Sequence, residues 1–233
     1  MIPHLTTRRV PSPNPGVKGS PDPHRQPNVN PLASHPRMNL LVGTNALFLV
    51  ALVVYVAIRN HFMTRLKFAE TEVNAIDTSD RVLMFFIVLT VILLPVAYLL
   101  SPFFGFANYP VPLVVRSLGV VVIAISLWVF WRSHVDLGTN WSPSLEVRKG
   151  HQLVTSGIYR RVRHPMYSSI WLWVLGQAMT LPNWLIAWGP MICFSVMYFR
   201  RLPKEERMMR DRFGSEYEAY MKETGRLVPK LSK

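Results

Sequence analysis

The chain has 233 residues, half of them hydrophobic, and carries 26 Lys and Arg against 13 Asp and Glu, a formal net charge of +13. Its 17% charged content falls below the ~25% usual for soluble domains, which excludes a water-exposed surface of ordinary polarity. The single cysteine, Cys193, excludes an internal disulfide and a cysteine-built metal site. The basic residues are scattered between long apolar runs rather than gathered on one polar face, so no nucleic-acid partner is expected.

Residues 1–37 hold nine of the 19 prolines and few large apolar side chains. Such a segment buries too little surface to offset its ordering entropy and is expected to be a disordered Pro-rich tail. No apolar stretch follows its arginines within the first thirty residues, so it does not read as a signal peptide. Met38, directly before the first apolar run, is a candidate start codon.

Three apolar runs then follow, Leu40 to Ile58, Val82 to Leu100 and Val111 to Trp131. Each is close to the ~20 residues that cross ~30 Å of hydrocarbon. Arg116 can snorkel, and Trp128 and Trp131 suit the interface. Residues 38–131 are therefore expected to form three transmembrane helices. A fourth run is divided by Pro182-Asn183 into limbs of roughly 21 and 24 Å, giving a helical hairpin over 168–199 that spans twice or re-enters. The expected fold is all-α, a polytopic integral membrane protein with about five transmembrane helices.

With that topology, segments 59–81, 132–167 and 200–233 share one face and hold twenty of the 26 basic residues. The bias that places Lys and Arg inside puts this face, with the active-site loops and C-terminus, in the cytoplasm. The positive charge then answers to topology and anionic headgroups.

The polar information lies in 132–167 and 200–229, within the expected catalytic region 132–233. The first segment contains Asn140-Trp141-Ser142, then His151 to Tyr159, then Arg163-His164-Pro165-Met166-Tyr167. Pro165 is preset for a first helical turn and biases His164 toward an extended backbone. That puts His164 at a helix N-terminus, where free N–H groups favour a carboxylate. Taken singly, His164 reads as a helix cap and Tyr167 as an interfacial anchor.

In the second segment, Arg201 and Glu205 share a face if the helix continues past Pro203. Alone they read as a solvated ion pair. Met209, Phe213, Tyr217 and Tyr220 recur at helical spacing, predicting a C-terminal amphipathic helix that lies on the membrane or folds back on the first segment. The seven histidines form no i, i+3 or i, i+4 pair, so no metal site is expected, and no Gly-x-Gly loop points to a soluble dinucleotide fold.

The order His-x-Leu-Val-Thr-x-Gly-x-Tyr, Arg-His-Pro-x-Tyr, an apolar hairpin, Arg-x-x-x-Glu-Glu and Phe-Gly-x-Glu-Tyr resembles the isoprenylcysteine carboxyl methyltransferase family, from about Asn140 to Pro229. Phospholipid methyltransferases share the Arg-His-Pro-x-Tyr and Glu-Glu elements. The resemblance implies an S-adenosylmethionine pocket on the cytoplasmic side, open to lipid on one flank. It assigns cofactor contacts to His151, Gln152, Leu153, Val154, Tyr159, His164, Pro165, Met166, Tyr167 and Glu205. It gives Arg201 the acceptor carboxylate, and a further family contact, a glutamine, falls on Ser144 here.

The implied activity is S-adenosylmethionine-dependent methylation of the carboxylate of a lipophilic, prenylcysteine-like acceptor in the membrane. An amine acceptor, as in a phospholipid N-methyltransferase, would need a base, for which Glu206 and His164 are the candidates. A reductase-like membrane protein or a catalytically silent scaffold is the remaining alternative.

Overall fold

The computed structural model describes residues 35–66, 78–138 and 152–230. The first helix, α1 (His35–Leu66), contains the first apolar run and continues beyond it. The second run becomes α2 (Thr78–Val88), a wide turn at Leu89–Leu93, and α3 (Leu94–Leu100). A short tight turn over Pro102–Ala107 leads to α4 (Leu113–Leu137), and the hairpin follows as α5 (Pro165–Thr180) and α6 (Trp184–Glu223). Three stretches, Leu40–Thr64, Arg81–Leu100 and Leu113–Leu137, are long and apolar enough to cross a membrane. Among the described residues the protein is all-helical, an integral membrane protein with many large apolar side chains facing outward, as lipid-facing surfaces require.

Two prolines interrupt the helical hydrogen bonding within the bundle, and one side chain repairs both. Pro95 has no N–H to donate. Upstream of it the chain widens to a five-residue step, Leu94 N–H bonding Leu89 O, which leaves Thr90 O facing the proline. In α6, Pro190 likewise orphans Ile186 O. Gln177 of α5, fully buried, donates its Nε2 to Thr90 O at 3.2 Å and to Ile186 O at 3.1 Å, while its Oε1 accepts from Trp173 at 3.1 Å. One amide thereby joins the wide turn at Leu89–Leu93, α5 and α6 where no water is available to satisfy the carbonyls.

The helices α4 and α5 approach closely at Gly119 and Gly176. A Cβ on Gly119 would stand 2.8 Å from Met179 Cβ, and one on Gly176 would meet the Gly119 carbonyl at 2.9 Å. Small residues of this kind permit tight packing where lipid gives no hydrophobic drive. Ser126 Oγ adds a 2.7 Å bond to Ser169 O across the same interface.

At the end of the bundle away from the basic segments, Asn183 organises the hairpin turn. Its Oδ1 caps α6 by accepting from Leu185 and Ile186 N–H, and its Nδ2 donates to Phe104 O and Asn108 Oδ1. Arg116 is buried and donates to Thr180 O at 3.0 Å and Asn45 Oδ1 at 2.8 Å, capping α5 and tying it to α1.

The C-terminal amphipathic helix expected as a separate element is the continuation of α6. The helix runs through Pro203, where Leu202 is buried and the Arg201 to Glu205 ion pair spans the proline. It breaks instead at Gly214, whose φ 49° and ψ −125° exclude residues with a Cβ. Of the two placements open for this segment, it folds back: Tyr220 Oη donates to Tyr159 O at 2.6 Å.

Candidate active site

The strand-like entry to α5 is fixed by the end of the chain. Val162 pairs with Gly225 in a parallel bridge, Arg163 N–H donates to Gly225 O at 2.9 Å, and His164 N–H donates to Arg226 O at 3.0 Å. Arg163 turns its guanidinium onto Met221 O at 3.1 Å and onto Thr224 O, where a cation favours the exposed carbonyls of a helix C-terminus. Pro165 takes the first position of α5, and the His164 side chain makes no capping bond. The capping role read for His164 in isolation is therefore not what the side chain does.

Tyr159 is set by a turn that needs glycine. Gly157 has φ 61°, and a side chain there would run into the Asp136 carboxylate. Asp136 accepts Ile158 N–H at 2.8 Å and is itself paired to Arg132 at 2.6 Å. Tyr159 Oη then donates to Ser133 O at 3.2 Å. Burial pushes the phenols of Tyr159 and Tyr220 up, and that of Tyr217 to about 12, so all three stay protonated near neutrality.

The paired glutamates have opposite surroundings. Glu205 Oε1 accepts from Tyr167 Oη at 2.8 Å and from Arg201 Nε at 2.9 Å, while Oε2 faces His164 Nδ1 at 3.7 Å, beyond hydrogen-bonding range. Glu206 is buried and ringed by nitrogen-bearing side chains. Arg226 grips it in a fork at 3.1 and 2.9 Å, and Arg163 Nη2 and His164 Nε2 each stand at 3.5 Å. The His164 ring and the Arg226 fork hold its carboxyl at about 2 despite burial. A base poised near neutrality requires the opposite shift, so Glu206 is a strut and not the general base named for it in the amine reading.

One cavity of about 380 Å³ collects these groups. Its wall includes Arg201 and, of the assigned cofactor contacts, Gln152, Leu153, Val154, Tyr159, His164, Pro165, Met166, Tyr167 and Glu205. The remaining one, His151, lies outside the described residues, as do Asn140-Trp141-Ser142 and Ser144. The sequence reading missed Tyr55 and Arg59 of α1, Met84, Ile87 and Val88 of α2, and Met208 and Tyr217 of α6, which also line it. Arg59 closes an apolar run, where a basic residue reads as an interfacial anchor; nothing local signals that α1 packs beside the site.

This arrangement places one cavity of an integral membrane protein at the junction of α1, α2, α5 and α6. Residues 117–211 match the model of the isoprenylcysteine carboxyl methyltransferase family. The probable protein-S-isoprenylcysteine O-methyltransferase of Oryza sativa subsp. indica is 31% identical over 108 residues, covering 46% of this chain and 56% of that protein. The protein-S-isoprenylcysteine O-methyltransferase of Schizosaccharomyces pombe is 36% identical over 81 residues, 35% and 34% of the two chains. The match thus spans about half or less of these relatives. A solved structure of a eukaryotic intramembrane Ras methyltransferase superposes with a TM-score of 0.47 at 20% identity, over 66% of this chain and 54% of that one, a fit too loose to define the fold.

Proposed function

We propose that the protein is an S-adenosylmethionine-dependent methyltransferase that methylates the carboxylate of a lipophilic, prenylcysteine-like acceptor. The observation that carries this reading is the meeting of Arg201, Glu205, His164 and Tyr167 from two helices at one cavity. At about 380 Å³ the cavity falls within the ~300–1,000 Å³ usual for small-molecule sites.

The lining fits S-adenosylmethionine. Leu153, Val154 and Met166 offer apolar surface, and Glu205 keeps one carboxylate oxygen outside its hydrogen bonds to Tyr167 and Arg201, suited to the ligand's amino group. When bound, the cofactor supplies a methyl group already activated by the sulfonium charge. The protein's work is then alignment and the exclusion of water. Arg201, always charged and fork-shaped, orients the acceptor carboxylate. Such a carboxylate, with an ordinary pKa near ~4, is ionised at neutral pH and needs no base. An amine acceptor does need one; Glu206, held at about 2, is unsuited to the task, which leaves His164 as the base of that reading.

In this reading 38–131 anchors the enzyme, 132–233 carries the chemistry and the 168–199 hairpin brings the spans to five; the expected tail lies, up to residue 34, outside the described residues. The cavity opens on the cytoplasmic side, supported by the twenty basic residues of segments 59–81, 132–167 and 200–233. An Asn-x-Ser site inserted in the 101–110 loop should then be glycosylated in microsomes, and one in 200–233 should not; the reverse pattern refutes the orientation. The activity is tested by calorimetry of S-adenosylmethionine binding to detergent-purified protein. Micromolar-range binding that is lost in Glu205→Ala and His164→Ala is the expected result, and no binding by folded wild type refutes the proposal.

A further inference from the structure

Three tyrosines of the cavity wall, Tyr159, Tyr217 and Tyr220, form a connected patch. The ring centroids of Tyr217 and Tyr220 are 6.0 Å apart, and Tyr220 Oη donates to Tyr159 O at 2.6 Å. Two of the three hydroxyls hold the backbone, that of Tyr220 through this bond and that of Tyr159 through Ser133 O at 3.2 Å. The third does not. Tyr217 is 2% exposed, and among the described residues its Oη has no hydrogen-bond partner. Buried phenols are ordinarily bonded, because a desolvated hydroxyl left unpaired is costly. Burial holds this phenol at about 12, so near neutrality it can donate a hydrogen bond as well as accept one.

The patch belongs to the segment of α6 beyond the Gly214 break and to the Tyr159 turn on which that segment folds back. The apolar wall formed by Met84, Ile87 and Val88 comes from another element, α2. A hydrocarbon chain is served by apolar surface and has no use for a hydroxyl. A purine stacks on flat aromatic rings, and a free hydroxyl beside them supplies the directional bond that stacking lacks. We propose that Tyr217 is a further cofactor-binding residue, its hydroxyl bonding the adenosine part of S-adenosylmethionine beside the rings of Tyr159 and Tyr220. The assignment deepens the proposed function and rests on it. Glu205 takes the amino-acid end of the cofactor, and Tyr217, twelve residues further along α6, takes the nucleoside end.

The test uses the full chain in detergent and calorimetry without an acceptor. Tyr217→Phe removes the hydroxyl and keeps the ring. The affinities for S-adenosylmethionine and S-adenosylhomocysteine should each fall about fivefold or more, the scale of one lost hydrogen bond. The thermal midpoint of the unliganded variant should equal or exceed that of the wild type, since no bond within the protein is lost; a hydroxyl bonded within the fold would lower it. Methylthioadenosine, which keeps the nucleoside and lacks the amino-acid end, tells the two ends apart. Its affinity should fall by the same factor. An unchanged cofactor affinity, a lowered midpoint of the unliganded variant, no binding of methylthioadenosine by the wild type, or a loss confined to ligands that carry the amino-acid end overturns the assignment of Tyr217. Failure of the wild-type protein to bind any of the three ligands overturns the proposed function itself.

Discussion

Replacing Glu206 by Gln separates a structural carboxylate from a catalytic one. The ordinary glutamate value of 4.5 falls to about 2 in the folded protein. At about 1.36 kcal/mol per tenfold change, that difference corresponds to about 3 kcal/mol of stability at neutral pH. The neutral amide also leaves Arg163 and Arg226 without their common counter-ion, a loss that costs about 3–5 kcal/mol for buried pairs; Arg226 is half exposed and can rehydrate, which favours the lower end. At about 2–4 °C per kcal/mol for a chain of this size, Glu206→Gln should lower the thermal midpoint of the solubilised protein by about 6–12 °C. Glu218→Gln, at an exposed position, should leave it unchanged.

Because the folded value lies below the ordinary one, the contribution is complete above 4.5 and is lost as pH falls toward about 2. Melting curves of the wild type over that range should converge on those of the variant. Methyl transfer by Glu206→Gln, assayed at a temperature where it remains folded, should keep the wild-type pH profile between about 6 and 9. A variant that melts with the wild type, or one that is stable but loses its pH profile, refutes the strut assignment.

Arg201→Ala should raise the acceptor KM about tenfold or more while cofactor affinity, measured by calorimetry, changes by less than about threefold; an equal loss of both would contradict the division of labour between Arg201 and Glu205. Gln177→Leu leaves Thr90 O and Ile186 O unsatisfied and should destabilise the protein by about 2–5 kcal/mol, read as a lower thermal midpoint. Gly157→Ala combines a positive φ with a clash against Asp136. It should cost about 1–3 kcal/mol and weaken cofactor binding through the displaced Tyr159, checked by melting and calorimetry together.

The apolar runs and the chemistry-bearing motifs were legible in the linear sequence because both depend on short-range pattern. Hydrophobic length determines a span whatever it packs against, and the observed spans overlap the expected ones. Arg201 and Glu205 were readable as a pair because helical spacing alone puts them on one face. The course of α6 was not readable: Pro203 and Gly214 are both helix breakers in isolation. That α6 passes straight through Pro203 was decided by the buried Leu202 and the ion pair that spans the proline, and the kink falls at Gly214.

The two glutamates of the Glu-Glu pair are identical in sequence terms, and only tertiary contacts separate them. Glu205 turns to the cavity and Tyr167, whereas Glu206 turns to Arg226, a residue twenty positions away. Arg59 belongs to the same class of fact, because nothing in its sequence context places α1 at the cavity wall. The sequence by itself determined a membrane-spanning helical chain and its charge asymmetry, since these follow from composition and spacing. The tertiary structure decided which of those residues meet, which carboxylate is spent on holding the fold, and which helix completes the site, since buried electrostatics depend on what packs alongside each charge.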